Sequence, residues 1–101
     1  MIPEGAVKAG DIIYLGAPTG HARDWVIPHR IVKVSRIKLH VVDLTQTTGF
    51  VYRFDREHPS FYTSRQEALR SNIQILEGWI TYYKSYIKAQ KAVLKEVNDG
   101  V

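Results

Sequence analysis

The chain has 101 residues, 45% of them hydrophobic and 24% charged, a balance typical of one soluble globular domain and not of a disordered chain. It contains no cysteine, which excludes disulfides, thiolate zinc sites and cysteine nucleophiles. No apolar run reaches the ~18 residues of a membrane helix and no secretory leader is recognisable, so we expect a cytoplasmic protein with no membrane partner. The formal net charge of +4 favours an acidic partner such as nucleic acid, although many soluble domains carry this charge without one.

The first half of the chain has the pattern of short strands. Apolar residues alternate or cluster at 11–15, 26–34, 37–43 and 50–54, and turn-forming residues separate these runs. Pro28 cannot donate a backbone hydrogen bond, so we expect it at an edge, a bulge or the start of a strand. The alternation places Val32 and Val34 on one face, then Ile37, Leu39 and Val41, and then Phe50, Tyr52 and Phe54. Four or five strands in about 55 residues predict a small antiparallel barrel, and an SH3-like barrel fits best.

The second half has the pattern of a long helix. Ser64 and Glu67 match a capping box, and no proline follows them. We therefore predict an α+β fold in a single domain, residues 1–101, with a barrel part at 1–60 and a helical part at 64–98. Gly78 costs about 1 kcal/mol in a helix interior, so two helices broken near Gly78 are an alternative to one continuous helix.

Two apolar stripes run along this helix. The first stripe repeats every three or four residues and only Gln90 interrupts it; its members are Leu69, Ile73, Leu76, Ile80, Tyr83, Ile87, Leu94 and Val97. The second stripe consists of Ile75, Trp79, Tyr82, Tyr86, Ala89 and Val93. Together the stripes are wider than one packing partner needs. We expect the barrel to cover one stripe and a second copy of the chain, or a foreign protein, to cover the other.

The predicted oligomer or partner interface follows from these stripes. A homodimer with Gln90 as a register-setting polar residue is the favoured interpretation, and packing against the protein's own barrel is the alternative. The lysines on the remaining face are expected to be a solvated surface. The predicted interface residues are Leu76, Trp79, Ile80, Tyr82, Tyr83, Tyr86, Ile87 and Leu94.

No pattern in the sequence indicates an enzyme. The four histidines lack the spacing of a metal site, and the glycines at 16 and 20 do not form a phosphate loop. A carboxylate-assisted site at Asp55, Glu57 and His58 is conceivable, but a solvated turn is the favoured interpretation. We therefore predict no catalytic residue, no metal and no cofactor.

Basic residues on the strands form a candidate nucleic-acid surface. Cations bind phosphates and an aromatic ring can stack on a base. The alternative is that these residues are simply the polar outer face of a barrel. The candidate residues are Arg30, Lys33, Arg36, Lys38, His40 and Arg53, with Trp25 as a stacking group.

Two stretches resemble known proteins. AGDIIYLG and HRIVKVSRIKLHVV resemble small SH3-like and KOW-like barrels, and VKVSRIKLHVVDLTQTTGFVYRF is similar to short proteins encoded by bacteriophages. The resemblance implies a phage or bacterial accessory protein that acts by binding, and it assigns a role to no single residue.

Three functions follow as hypotheses. The first is a non-enzymatic module that contacts nucleic acid through the barrel and oligomerises through the helix. The second is a protein-binding inhibitor or adaptor, for example one acting on a host or defence protein. The third is sequestration of a small nucleotide-like ligand between subunits.

Overall fold

The fold is α+β, a curled five-stranded antiparallel sheet followed by one long helix. It was determined as a computed structural model, which describes residue 2, residues 5–19 and residues 25–100. The strands are β1 (Ile12–Gly16), β2 (Val26–Val34), β3 (Lys38–Asp43), β4 (Val51–Asp55) and β5 (Phe61–Tyr62), and the helix is α1 (Arg65–Asp99). The strand order is β4-β3-β2-β1-β5.

The sheet is a half-barrel because its two edge strands, β4 and β5, are not joined by a ladder within the described residues. The rings of Phe54 and Phe61 meet across this opening, with centroids 5.0 Å apart. The predicted short antiparallel strands are therefore present, but the barrel that they form is open on one side. Pro28 precedes the first β2–β3 pair, which joins His29 to Asp43, so it lies near a strand start as expected.

The core lies on the concave face of the sheet. Alternate residues of the strands point into it, as strand geometry requires, and Ile2 covers it from the N-terminal segment. The buried apolar side chains of this cluster are Ile2, Ile13, Ile31, Leu39, Val41 and Phe61, with Tyr52 and Phe54 packed against them.

Three apolar residues do not take the predicted inward positions. The β2–β3 register shifts between Ile31 and Lys33, so Val32 lies in a β-bulge and is exposed. Ile37 lies in the turn before β3 and is exposed. Phe50 precedes β4 and is also exposed, although its ring packs against the ring of Tyr52. In each case the residue falls where the strict two-residue alternation of a strand is interrupted.

The helix is continuous through Gly78, so the alternative of two helices is wrong. Its start is as predicted, because the Ser64 side chain accepts a hydrogen bond from the Glu67 backbone N–H at 3.1 Å. At the other end, the Gly100 N–H donates to the Glu96 carbonyl. The apolar pattern runs through Gly78 without a change of phase, which is consistent with an unbroken helix.

Most of the helix lies beyond the sheet. Only Ala68 and Asn72 are buried in α1, and every residue from 77 to 100 is exposed. The molecule measures 67 × 28 × 21 Å and its radius of gyration is 19.8 Å, against about 13 Å for a compact domain of this length. The expectation that the barrel covers one whole stripe is therefore wrong, since the sheet reaches only the first turns of the helix.

Candidate functional site

The first turns of α1 are anchored on the convex face of the sheet, opposite the core. Asn72 is buried, and its side-chain N–H donates to the Trp25 carbonyl at 2.8 Å. The hydroxyls of Tyr62 and Ser71 are hydrogen bonded. Gly16 leaves room for this contact, because a Cβ there would lie 2.6 Å from the Asn72 Oδ1.

The sequence prediction missed this anchor, although a signal for it exists. Ala68 and Asn72 continue the spacing of the second stripe, at intervals of four and three residues before Ile75 and Trp79. A small residue and an asparagine at these positions indicate close approach to a backbone. The sheet therefore contacts the start of the second stripe, whereas the first stripe is half-buried at Leu69 and Leu76 and exposed at its other members.

Beyond the anchor, one side of the helix is covered with exposed apolar side chains, which we call the apolar arc. All are at least 38% exposed, and 3.6 residues per turn places them within an arc of about 180°. The arc consists of Ile73, Ile75, Trp79, Ile80, Tyr82, Tyr83, Tyr86, Ile87, Val93, Leu94 and Val97.

The predicted interface residues are brought together on this arc. Seven of the eight belong to it, and the eighth, Leu76, lies on the same side of the helix and is half-buried near the anchor. In the described residues, nothing from the sheet contacts the helix beyond its first turns closely enough to bury a side chain. The structure places these residues together and leaves them accessible to a partner.

Three tyrosines form the aromatic centre of the arc. The hydroxyls of Tyr82 and Tyr86 are 2.7 Å apart and their ring centroids are 4.7 Å apart, edge to face. The ring of Tyr83 lies 5.6 Å from that of Tyr82. The hydrogen bond to Tyr86 raises the pKa of Tyr82 above its ordinary value. These rings offer a large apolar surface whose hydroxyls tolerate water at the rim of an interface.

The rest of the helix surface does little to stabilise an isolated helix. β-branched, aromatic, serine and glycine residues occupy most positions from 73 to 87, and these residues favour helix less than alanine or leucine. Lys84 and Lys88 are four residues apart, as are Lys91 and Lys95, so like charges are neighbours on the helix. A long helix of this composition needs packing on its apolar side to be stable.

A second feature lies on the convex face of the sheet. The register places Lys33 of β2 opposite His40 of β3, and His40 opposite Arg53 of β4. We call these three residues the cation row. Directly opposite side chains on neighbouring strands have Cβ atoms about 5 Å apart, so the row is about 10 Å long. Within the described residues, no carboxylate forms an ion pair with Lys33 or Arg53.

The other predicted cations differ in their distance from the cation row and in whether their charge is paired. Arg30 is exposed on the convex face, opposite Val42 and therefore beside the row. Arg36 is exposed in the β2–β3 turn. Lys38 is half-buried and its Nζ is paired with the Asp55 carboxylate, whose pKa this hydrogen bond lowers. Much of the Lys38 charge is therefore neutralised within the protein.

Trp25 is not placed with the cations. It precedes β2, with a left-handed backbone (φ 63°), whereas Lys33 lies near the other end of that strand. At 3.3 Å per residue the separation along β2 is on the order of 25 Å. Trp25 and the cation row therefore do not form one compact site, and a role for Trp25 in binding a base stays a prediction.

Two of the three groups of the conceivable acid–base site, Asp55 and His58, have structural partners. Asp55 accepts the hydrogen bond from Lys38, and His58 Nδ1 accepts from the Ser60 backbone N–H. The His58 ring packs edge to face against Phe54 and Phe61. No cluster of three potential metal ligands occurs among the residues that the structure describes. None of the described helices is long and apolar enough to span a membrane.

Comparison with known proteins adds no assignment: no protein family, no curated protein and no solved structure matches this chain.

Proposed function

We propose that this protein is a non-enzymatic binding module that associates with another polypeptide through the apolar arc of α1. The observation that carries this proposal is the arc itself, in which eleven apolar side chains along one helix are each at least 38% exposed in the described part of the chain. The half-barrel provides a stable base from which the helix projects. The module would act as an adaptor that joins chains and presents the sheet.

A polypeptide partner fits the composition of the arc. Trp79, Tyr82, Tyr83 and Tyr86 supply the residue types that dominate binding energy in protein interfaces. Exposed contiguous apolar surface of this extent marks interaction sites. A helix in contact with a second helix or a groove would gain the packing that its own composition does not provide.

Two doubly substituted variants test the proposal. Ile80→Asp with Ile87→Asp adds two carboxylates to the arc, and Thr81→Asp with Ser85→Asp adds the same charge to the opposite side. We expect the unsubstituted protein to associate, either with itself in light scattering or with a polypeptide captured from nuclease-treated lysate. The arc variant should lose this association by at least tenfold, and the opposite-face variant should retain it.

The outcome that overturns the proposal is equally concrete. If the arc variant associates as well as the unsubstituted protein, the arc is not the binding surface. If neither protein associates with itself or with another polypeptide, the module has no such function. Circular dichroism and one-dimensional NMR of both variants confirm that the sheet remains folded.

Nucleic-acid contact through the cation row is the second candidate function. The register supports it, because three basic groups from three strands lie in one line with Arg30 beside them. The positive charges of Lys33, Arg53 and Arg30 would bind phosphates, and affinity would fall steeply with salt. The row is short and Trp25 lies away from it, so this function takes second place.

Fluorescence anisotropy with labelled single- and double-stranded oligonucleotides tests this candidate. Lys33→Ala with Arg53→Ala should weaken binding by at least tenfold at low salt. Lys88→Ala with Lys95→Ala removes the same charge from the helix and should change affinity less than threefold. Absence of binding at low ionic strength, or equal losses in the two variants, would rule the candidate out.

A further inference from the structure

We infer that the polypeptide seated on the apolar arc is a second copy of this chain, parallel and in register with the first. The two helices would form a two-stranded coiled coil along residues 73–97. This inference rests on the proposed function and specifies its partner.

The first stripe has the pattern of a two-stranded seam. In heptad notation Ile73, Ile80, Ile87 and Leu94 occupy position a, and Leu76, Tyr83, Gln90 and Val97 occupy position d. Isoleucine occupies three of the four a positions and leucine one of the four d positions, and β-branched residues at a with leucine at d favour two strands in parallel coiled coils. The sheet contacts Ala68 and Asn72, which belong to the other stripe, so it leaves this seam free for a partner.

Gln90 is the one polar residue in the seam beyond the anchor. Its side-chain amide favours a partner that offers a polar group at the same level. In a parallel, in-register pair it lies beside Gln90 of the second copy. The two amides then donate to and accept from each other, which satisfies groups that an apolar partner surface would leave unpaired. A single polar residue in a seam also fixes register and orientation.

The residues beside the seam favour the parallel orientation. In a parallel pair, position g of one helix lies next to position e of the other. Trp79 therefore lies beside Lys84 of the second copy, and Tyr86 beside Lys91. In each pair the lysine ammonium can rest on the aromatic face. In the antiparallel pair that overlaps residues 73–97, Lys84 instead approaches Lys84 of the second copy and Gln90 faces Ile80. That arrangement sets like charges together and leaves an amide against an apolar side chain.

The apolar surface that two such helices would bury against each other is large enough for a stable dimer. The side chains at a and d, with those of Trp79, Tyr86 and Val93, are mostly about half exposed in the single chain. Burying that exposed half removes on the order of 800 Å² per chain, which is the size of a standard interface. The hydroxyls of Tyr82 and Tyr86 stay at the rim, where water can reach them.

Energy transfer between labels tests both the partner and the orientation. The chain has no cysteine, so Asp99→Cys and Thr63→Cys each provide one labelling site, near the end and just before the start of the helix. We expect the purified protein to have twice the chain mass of 11.6 kDa in light scattering. After mixing, donor and acceptor both at residue 99 should give strong transfer. Donor at 99 with acceptor at 63 should give weak transfer, because about 50 Å of helix separates them.

Each other result overturns the inference in a distinct way. Strong transfer between 99 and 63 shows an antiparallel pair, and a particle of four chains shows that the two-stranded arrangement is wrong. If the protein is a monomer that captures a different polypeptide through the arc, the inference that the partner is a second copy is wrong, but the proposed function remains. A single chain with no arc-dependent capture overturns both.

Discussion

His29 is a histidine in the aromatic part of the core, at the level where the sheet opens. Its ring lies edge to face against Phe61, with centroids 5.3 Å apart, and its Nδ1 is 3.0 Å from the Ile27 carbonyl. Burial lowers the pKa of His29 below its ordinary value of 6.5, and the Ile27 hydrogen bond and the charge of Asp43 oppose this shift only in part. The folded protein therefore holds His29 neutral.

This neutrality predicts a pH dependence of stability. Below pH 6.5 the unfolded chain binds a proton at this histidine more readily than the folded chain does, so the free energy of unfolding should fall as the pH falls. Above that pH both states are neutral and His29 contributes no slope. For one proton the slope cannot exceed about 1.4 kcal/mol per pH unit. Urea unfolding between about pH 5 and 8 measures it.

The substitution that tests this prediction is His29→Gln. Glutamine at 29 keeps a donor for the Ile27 carbonyl but does not titrate, so the slope below pH 6.5 should diminish. An unchanged slope in this variant would show that another group is responsible.

Gly16 and Asn72 form the contact that fixes the helix to the sheet. An added Cβ at Gly16 would lie 2.6 Å from Asn72 Oδ1, and Asn72 cannot move freely because it donates to the Trp25 carbonyl. We expect Gly16→Ala to destabilise the protein by about 1–3 kcal/mol through overpacking. Asn72→Ala should cost about 1–2 kcal/mol through the lost hydrogen bond.

The double variant separates these two effects. Once Asn72 is alanine the obstruction is gone, so Gly16→Ala should cost at least 1 kcal/mol less in that background than alone. Denaturant unfolding at fixed protein concentration gives the four free energies. Gly78→Ala is the control, since a Cβ there meets open space, and it should stabilise the helix by up to about 1 kcal/mol. Strictly additive costs would refute the contact.

At the scale of the secondary-structure elements, the sequence predicts those features that depend on residues close together in the chain. The strands follow from alternation, the helix start follows from Ser64 and Glu67, and continuity through Gly78 follows from unchanged phase. The bulge at Val32 depends on the β2–β3 register and could not be predicted from β2 alone. In the same way, the pairing of Lys38 with Asp55 depends on the β3–β4 register.

The candidate sites show the same division. The period of the helix predicts which side chains share the apolar arc, but it does not reveal how many turns the sheet covers. That number is set by Gly16 and Asn72, which meet only in the folded chain. The distance between Trp25 and Lys33 follows from the length of β2, which runs from 26 to 34 without a turn. Local pattern thus predicts a face, and tertiary contact decides whether it is covered.

Gln90 provides a prediction at the element scale. In the paired helices, Gln90→Leu should raise the thermal midpoint by about 5 °C, because a buried polar pair is replaced by apolar packing. Transfer between labels at residue 99 should fall, because antiparallel pairs become populated. Gln74→Leu makes the same substitution on the opposite side of the helix and should leave the transfer unchanged. Undiminished transfer in the Gln90 variant would show that this residue does not set orientation.

The whole molecule predicts opposite salt dependences for its two surfaces. Salt screens the repulsion among the lysines of the helix, so association through the arc should strengthen by about threefold between low and moderate salt. Binding of nucleic acid through three phosphate contacts should weaken by roughly fortyfold between 50 and 200 mM salt. Sedimentation and anisotropy in the same buffers measure both. Association that weakens steeply with salt would contradict the apolar arc as its source.

The placement of the arc after β5 has a consequence for synthesis. Ribosomes make a chain from its N-terminus, and domains generally fold as they emerge. All five strands, including the last strand that pairs with β1, are made before the first residue of the arc. The sheet can therefore emerge and close its core while the apolar arc is still enclosed by the ribosome. Two nascent chains would meet only when each already carries a folded sheet, which keeps unfinished strands from being drawn into the wrong partner.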